Sequence, residues 1–155
     1  MSIKSEKIPE VLNHLIDHII LMVLVGILTY AVTKSIHTSI LLSVLNISLD
    51  FDHLIEYFLW SKGRFVFRDF FLGKYFGKKR KSFLFFHCWE YVLISLSLWL
   101  ISHNIILLLF SISIGSHLIF DLYTYKSSPL FYSFIYRLYF GFESAKICKK
   151  QNNTK

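Results

Sequence analysis

The run YVLISLSLWLISHNIILLLFSISIGSHLIF, residues 91–120, contains no Asp, Glu, Lys or Arg. A helix at a soluble protein's surface needs a polar face, and this stretch has none. Its length and apolarity predict two membrane spans, joined at Ser102-His103-Asn104. Ile19–Thr33 and Ser35–Leu49 are equally free of formal charge. The composition agrees: 54% of the 155 residues are hydrophobic and 18% aromatic, while only 17% are charged, below the roughly 25% usual for soluble domains.

Four spans are predicted, at about His14–Thr33, Ile36–His53, Phe83–Ile101 and Ile105–Tyr125. The first two are separated only by the Lys34–Ser35 turn, and short connections imply antiparallel neighbours. The expected fold is therefore an all-α integral membrane protein, a four-span helical bundle of two antiparallel hairpins with a C-terminal interfacial helix. That last helix is expected in Pro129–Phe142, with Ser127 or Ser128 as its cap and Pro129 in its first turn. Residues 1–142 are expected to form one membrane-embedded domain with a basic cytoplasmic loop at 61–82. Residues 143–155 are expected to be a flexible basic tail.

The net charge of +7 invites a nucleic-acid reading, but its placement argues against one. Lys62, Arg64, Arg68, Lys74, Lys78, Lys79, Arg80 and Lys81 fall in one loop between apolar segments. Lys126, Arg137, Lys146, Lys149, Lys150 and Lys155 follow the last span. Of the 17 Lys and Arg, only Lys34 lies on the opposite side. The bias places both termini and the central loop in the cytoplasm, beside anionic head groups of the cell's inner membrane. No nucleic-acid partner is expected. Glu6, Glu10 and Asp17 ahead of the first apolar run, with no small-residue cleavage site after Thr33, predict a retained span rather than a secretory signal. The two cysteines, Cys88 and Cys148, make no disulfide framework.

Against this background the few ionisable residues of the spans stand out, because such groups are costly in a bilayer and face a bundle interior or cavity. His14, Asp17 and His18 share one helix face by their i, i+3, i+4 spacing. Asp52 and Glu56 are i, i+4, with Asp50 and His53 beside them. His87 and Glu90 are i, i+3, and His117 and Asp121 are i, i+4. Under the expected topology all four groups lie at similar depth on the cytoplasmic side, whereas His37 and His103 lie at the other face without carboxylate neighbours. Taken singly, each pair has an ordinary structural role open to it: a hydrogen-bonded lock between helices, a helix-dipole partner for Asp17, a surface ion pair of Glu56 with Lys62. A common depth for all four has no packing rationale. Imidazole and carboxylate together suit zinc, manganese or iron, and bundle cores build such sites from Asp, Glu and His on facing helices. Cys88 points about 100° away from His87 on a helix and is excluded as a ligand.

Ser48-Leu49-Asp50-Phe51-Asp52-His53 resembles the P-D-x-D-H element of the inner-membrane-associated, LexA-regulated family of metal-dependent hydrolases (YdjM-like). Ser116-His117-Leu118-Ile119-Phe120-Asp121-Leu122-Tyr123-Thr124 resembles that family's H-x-x-x-D-x-x-T element, and His14 or His18 its N-terminal histidine. The likeness covers roughly residues 14–125. Two departures stand inside it: Leu49 replaces the proline, and His87-Cys88-Trp89-Glu90 replaces a two-histidine stretch. The resemblance implies a multi-span hydrolase with one or two divalent transition metal ions, zinc first. The ligands would be Asp50, Asp52, His53, His87, His117 and Asp121, with His14 or His18. Glu90 is the candidate general base, or replaces the second imidazole. Arg137, Arg64 and Arg68 are candidates for holding an anionic head group, which makes a lipid or phosphoester the expected substrate. The competing expectation is a non-enzymatic membrane protein, a scaffold or a metal transporter, with a structural His/Asp cluster.

Overall fold

The computed structural model describes residues 8–71, 81–125, 127–144 and 147, with the side chains of 8–14 and 71 excepted. Residues 72–80 of the basic loop, Lys126 and almost all of the expected tail lie outside the described residues. Within them the chain is helical and has no strand, only an isolated bridge between Lys81 and Glu143. In order the elements are α1 (Ile8–Thr33), α2 (Ile36–Ser48), α3 (Phe51–Ser61), α4 (Phe67–Phe71), α5 (Trp89–Ser102), α6 (Ile105–Tyr125), a 3-10 turn (Pro129–Tyr132) and α7 (Phe134–Tyr139).

Three helical segments are long and apolar enough to cross a bilayer: Leu15–Thr33, Ile36–Ser61 and Ile105–Tyr125. The second runs past the expected boundary at His53, because α3 continues α2 after a tightened turn. There the bonds Asp50 N→Ile47 O, Asp52 N→Leu49 O and His53 N→Asp50 O span three residues rather than four, a 3-10 geometry often found at functional positions. The helix expected at Phe83–Ile101 starts only at Trp89. Its 14 residues extend about 21 Å at 1.5 Å per residue. The preceding segment is instead held against α3. Glu56 accepts from Ser82 Oγ (3.0 Å) and Phe83 N (2.8 Å), and Asp52 accepts from Phe86 N and His87 N. Glu56 is thus buried in a clamp and not at the surface.

α1 packs on α2 and α5 on α6, and α6 also meets α1 and α2. Two tight turns allow the reversals: Lys34 and His103 each sit at positive φ (55° and 53°). Apolar contacts form two clusters. One comprises Val25, Leu42 and Leu109, and the other Leu49, Leu84, Ile114, Leu118 and Tyr132. Ser128 caps the 3-10 turn through Leu130 N, with Pro129 in its first turn. The expected single C-terminal helix is broken at Ser133, which caps α7 in turn.

The distribution of polarity is inverted relative to a water-soluble domain. His18, Asp52, His53, Glu56, His87, His117, Asp121 and Arg137 are buried, while Ile101 is 80% exposed and Ile135 67%. A surface this apolar requires a lipid or detergent covering.

Candidate metal centre

Residues from four parts of the chain converge at one end of the helices. α1 contributes His18, the α2–α3 junction Asp50 and His53, the segment before α5 His87, and α6 both His117 and Asp121. His87 Nε2 lies 3.3 Å from Asp121 Oδ2 and 3.9 Å from Asp50 Oδ1. His117 Nε2 lies 3.7 Å and 3.5 Å from the same two oxygens. The other oxygens of both carboxylates face His18: Asp50 Oδ2 is 3.3 Å from Nδ1 and Asp121 Oδ1 is 3.4 Å from Nε2. His53 reaches the cluster from the other side, its ring 5.1 Å from that of His87. Ligand atoms of Asp50, His53 and His87, and those of His18, His117 and Asp121, lie within 4.8 Å of one another.

These separations can be set against those of a hydrogen-bonded lock and of a metal site. Hydrogen bonds between nitrogen and oxygen fall at about 2.7–3.2 Å. Four atoms each bound at about 2.0–2.2 Å to one tetrahedral ion lie roughly 3.3–3.6 Å apart. The contacts of His87 Nε2 and His117 Nε2 with Asp50 and Asp121 scatter around that second range. His87 Nε2, both ring nitrogens of His117 and both carboxylate oxygens of Asp121 are buried without a hydrogen-bond partner. Buried groups of this kind cost several kcal/mol each unless something compensates them. Imidazole and carboxylate ligand atoms gathered this closely could hold a metal ion.

Asp52, expected as a ligand, occupies a different place. Its Oδ2 accepts from the backbone N–H of Phe86 and His87, and His87 Nδ1 lies 3.2 Å away. With the Nδ1 proton directed at Asp52, the lone pair of His87 falls on Nε2, the nitrogen that faces the cluster. Glu90, expected as the general base or a substitute ligand, is likewise committed elsewhere. Its Oε1 accepts from Ser133 Oγ (2.6 Å) and Ile135 N (3.1 Å), and its Oε2 from Phe134 N (3.0 Å). The i, i+3 argument fails because His87 precedes the helix, which begins at Trp89. Cys88 is no ligand, but for a reason other than helical angle. It is the extended N-cap of α5, and its thiol lies against Phe85 O and Arg137.

Of the two N-terminal histidines, His18 joins the cluster; the side chain of His14 lies outside the described residues. Asp17 is exposed, away from His18. His37 and His103 are exposed at the opposite end, as expected of residues without carboxylate neighbours. Arg64 and Arg68 are exposed and distant in role from the cluster, whereas Arg137 is fully buried. Sequence reasoning missed Tyr132, which is buried with its ring 6.0 Å from that of His87. Burial, with the nearby Asp121 charge, holds its phenol far above the usual value, so it stays a neutral hydroxyl. Access comes at Asp50, whose side chain is 33% exposed while His87, His117 and Asp121 are at 0%. No protein-family model, curated protein or solved structure matches this chain.

Proposed function

We propose that the protein is a membrane-embedded, metal-dependent hydrolase working at the cytoplasmic surface of the inner membrane. The observation that carries this reading is the two groups of imidazole and carboxylate atoms, most of them buried without a hydrogen bond and all close enough to share metal ions. Asp50, His53 and His87 would hold one ion of zinc, manganese or iron, and His18, His117 and Asp121 a second. A divalent ion there supplies Lewis acidity and brings the pKa of water towards neutrality. Asp52 fixes the His87 tautomer. Asp50 stands at the solvent edge of the site, its Oδ2 3.3 Å from His18 Nδ1. The likeness of Asp50-Phe51-Asp52-His53 and His117–Thr124 to the LexA-regulated hydrolase family supports the same class.

A scaffold would be expected to close its polar cluster with short hydrogen bonds. A transporter would be expected to place ionisable groups along the middle of the spans, and Leu21–Leu28, Ile40–Val44, Leu93–Leu100 and Ile105–Ile114 contain none. In the membrane we read four spans, α5 being the short fourth, with both termini inside. Cysteines placed at His37 and Arg64, in a Cys148→Ser background, should then label from opposite faces; labelling from one face would refute that topology. Metal analysis of protein purified in mild detergent tests the function. The wild type should carry transition metal, and His117→Ala and Asp121→Ala should lose it. A folded wild type that never takes up metal would leave the scaffold in its place.

A further inference from the structure

Arg137 is fully buried, a condition arginine almost never meets without a charged partner. Its NH2 donates to His87 O (3.2 Å) and meets Cys88 Sγ (2.9 Å), both neutral groups. Its Nε and NH1 have no hydrogen-bond partner. No carboxylate among the described residues forms an ion pair with it. The two nearest in role are already occupied: Asp52 Oδ2 by two backbone N–H groups and His87, and Glu90 by the N-terminus of α7. Nor does the side chain reach for water. Ile135, Leu138 and Tyr139 form the exposed side of α7, and Arg137 lies on its buried side.

This inward direction is built. Glu90 accepts from Ser133, Phe134 and Ile135 and so fixes the first turn of α7; Arg137 follows one turn later. The guanidinium is fastened to the carbonyl of His87, whose Nε2 belongs to the metal centre. A buried cation with two nitrogens that make no hydrogen bond is thus joined through the His87 backbone to a residue whose ring belongs to the cluster. Guanidinium donors recognise oxyanions, phosphoryl groups above all. A phosphoryl group carries enough oxygens to meet the ion with one and Arg137 with another, and bilayers present such groups at the ends of membrane spans.

We propose that Arg137 is the receptor for a phosphoryl group presented to the metal centre, so that the substrate is a phosphate ester. The proposal rests on the metal-site reading above and names its substrate class. The test uses the full chain in dodecyl maltoside micelles, which carry no phosphate, with and without zinc, and equilibrium binding of radiolabelled inorganic phosphate. Zinc-loaded wild type should bind phosphate saturably. Arg137→Gln should bind at least tenfold more weakly while keeping the wild-type zinc content, and Arg137→Lys should fall between them. If Arg137→Gln does not fold, Arg137→Lys carries the comparison. Equal binding by wild type and variant, or no phosphate binding by the zinc-loaded wild type, overturns the proposal. A wild type that takes up no zinc yet binds phosphate through Arg137 would sink the metal reading alone. Displacement of bound phosphate when phosphatidate is added to the micelles assigns the site to a lipid head group; no displacement assigns it to a soluble ester. Either supports the phosphoryl chemistry.

Discussion

His87 shows how much one residue's surroundings determine what it can do. Its Nε2 faces Asp50 and Asp121, its Nδ1 faces Asp52, its N–H is held by Asp52 and its carbonyl by Arg137. On the proposed metal reading, ligand and support are therefore different carboxylates, and their loss should differ in kind. Asp121→Ala removes a ligand and should abolish metal retention. Asp52→Asn keeps the shape but weakens the hold on the His87 ring, and partners of this kind are worth about 10–100-fold in metal affinity. Competition with a chelator of known affinity measures the difference; an Asp52→Asn protein as metal-free as Asp121→Ala would make Asp52 a ligand after all. Sequence spacing singled out the imidazoles and carboxylates that the fold brings together, because charge inside an apolar run is conspicuous. It could not sort ligand from support. Asp50, Asp52 and His53 are neighbours in sequence, and their roles are fixed by the bend at 85–87, which comes from elsewhere in the chain. The role assigned to Glu90 failed for a related reason: helical spacing was applied across the start of a helix.

At the level of elements, α6 is the hub, touching α1, α2 and α5, and small polar contacts register the helices there. Asn46 Nδ2 on α2 donates to Ser113 O (2.8 Å) and lies 3.2 Å from Ser113 Oγ on α6. Ser111 Oγ donates to Val92 O on α5 (3.1 Å). Gly26 on α1 lies so close to α2 that a Cβ there would overlap Ser43 Oγ. In a bilayer such side-chain hydrogen bonds average about 0.6 kcal/mol, with a maximum near 1.7. Asn46→Leu should therefore lower stability by about 1 kcal/mol in a reversible detergent or denaturant titration, with metal content unchanged. A loss of metal would mean that the α2–α6 register itself positions Asp50. The apolar cores of the spans were legible from charge-free runs. The start of α5 was not, because Glu56 and Asp52 on α3 take the N–H groups of Phe83, Phe86 and His87 and keep that segment out of the helix.

Across the whole molecule, an apolar exterior surrounds a polar, acid- and imidazole-rich interior at one end. Most of α1 from Leu15 to Thr33 is exposed, with Val25 its buried apolar residue and His18 and Thr29 its buried polar ones. His18 stands between Asp50 of the α2–α3 junction and Asp121 of α6, so a metal-filled cluster would tie α1 to the remainder of the bundle. A ligand that binds only the folded state stabilises by about 2.7 kcal/mol when present at 100 times its Kd. For a chain of this size that corresponds to a rise of roughly 5–10 °C in Tm. Stripping metal with a chelator should lower the Tm of the detergent-solubilised protein by about that amount, and excess zinc should restore it. His117→Ala and Asp121→Ala should melt at one temperature whether chelator is present or not. If metal analysis shows the wild type stripped while its Tm holds steady, the cluster is not what fastens α1, and the two small apolar clusters and the Asn46–Ser113 contact must hold the bundle without it.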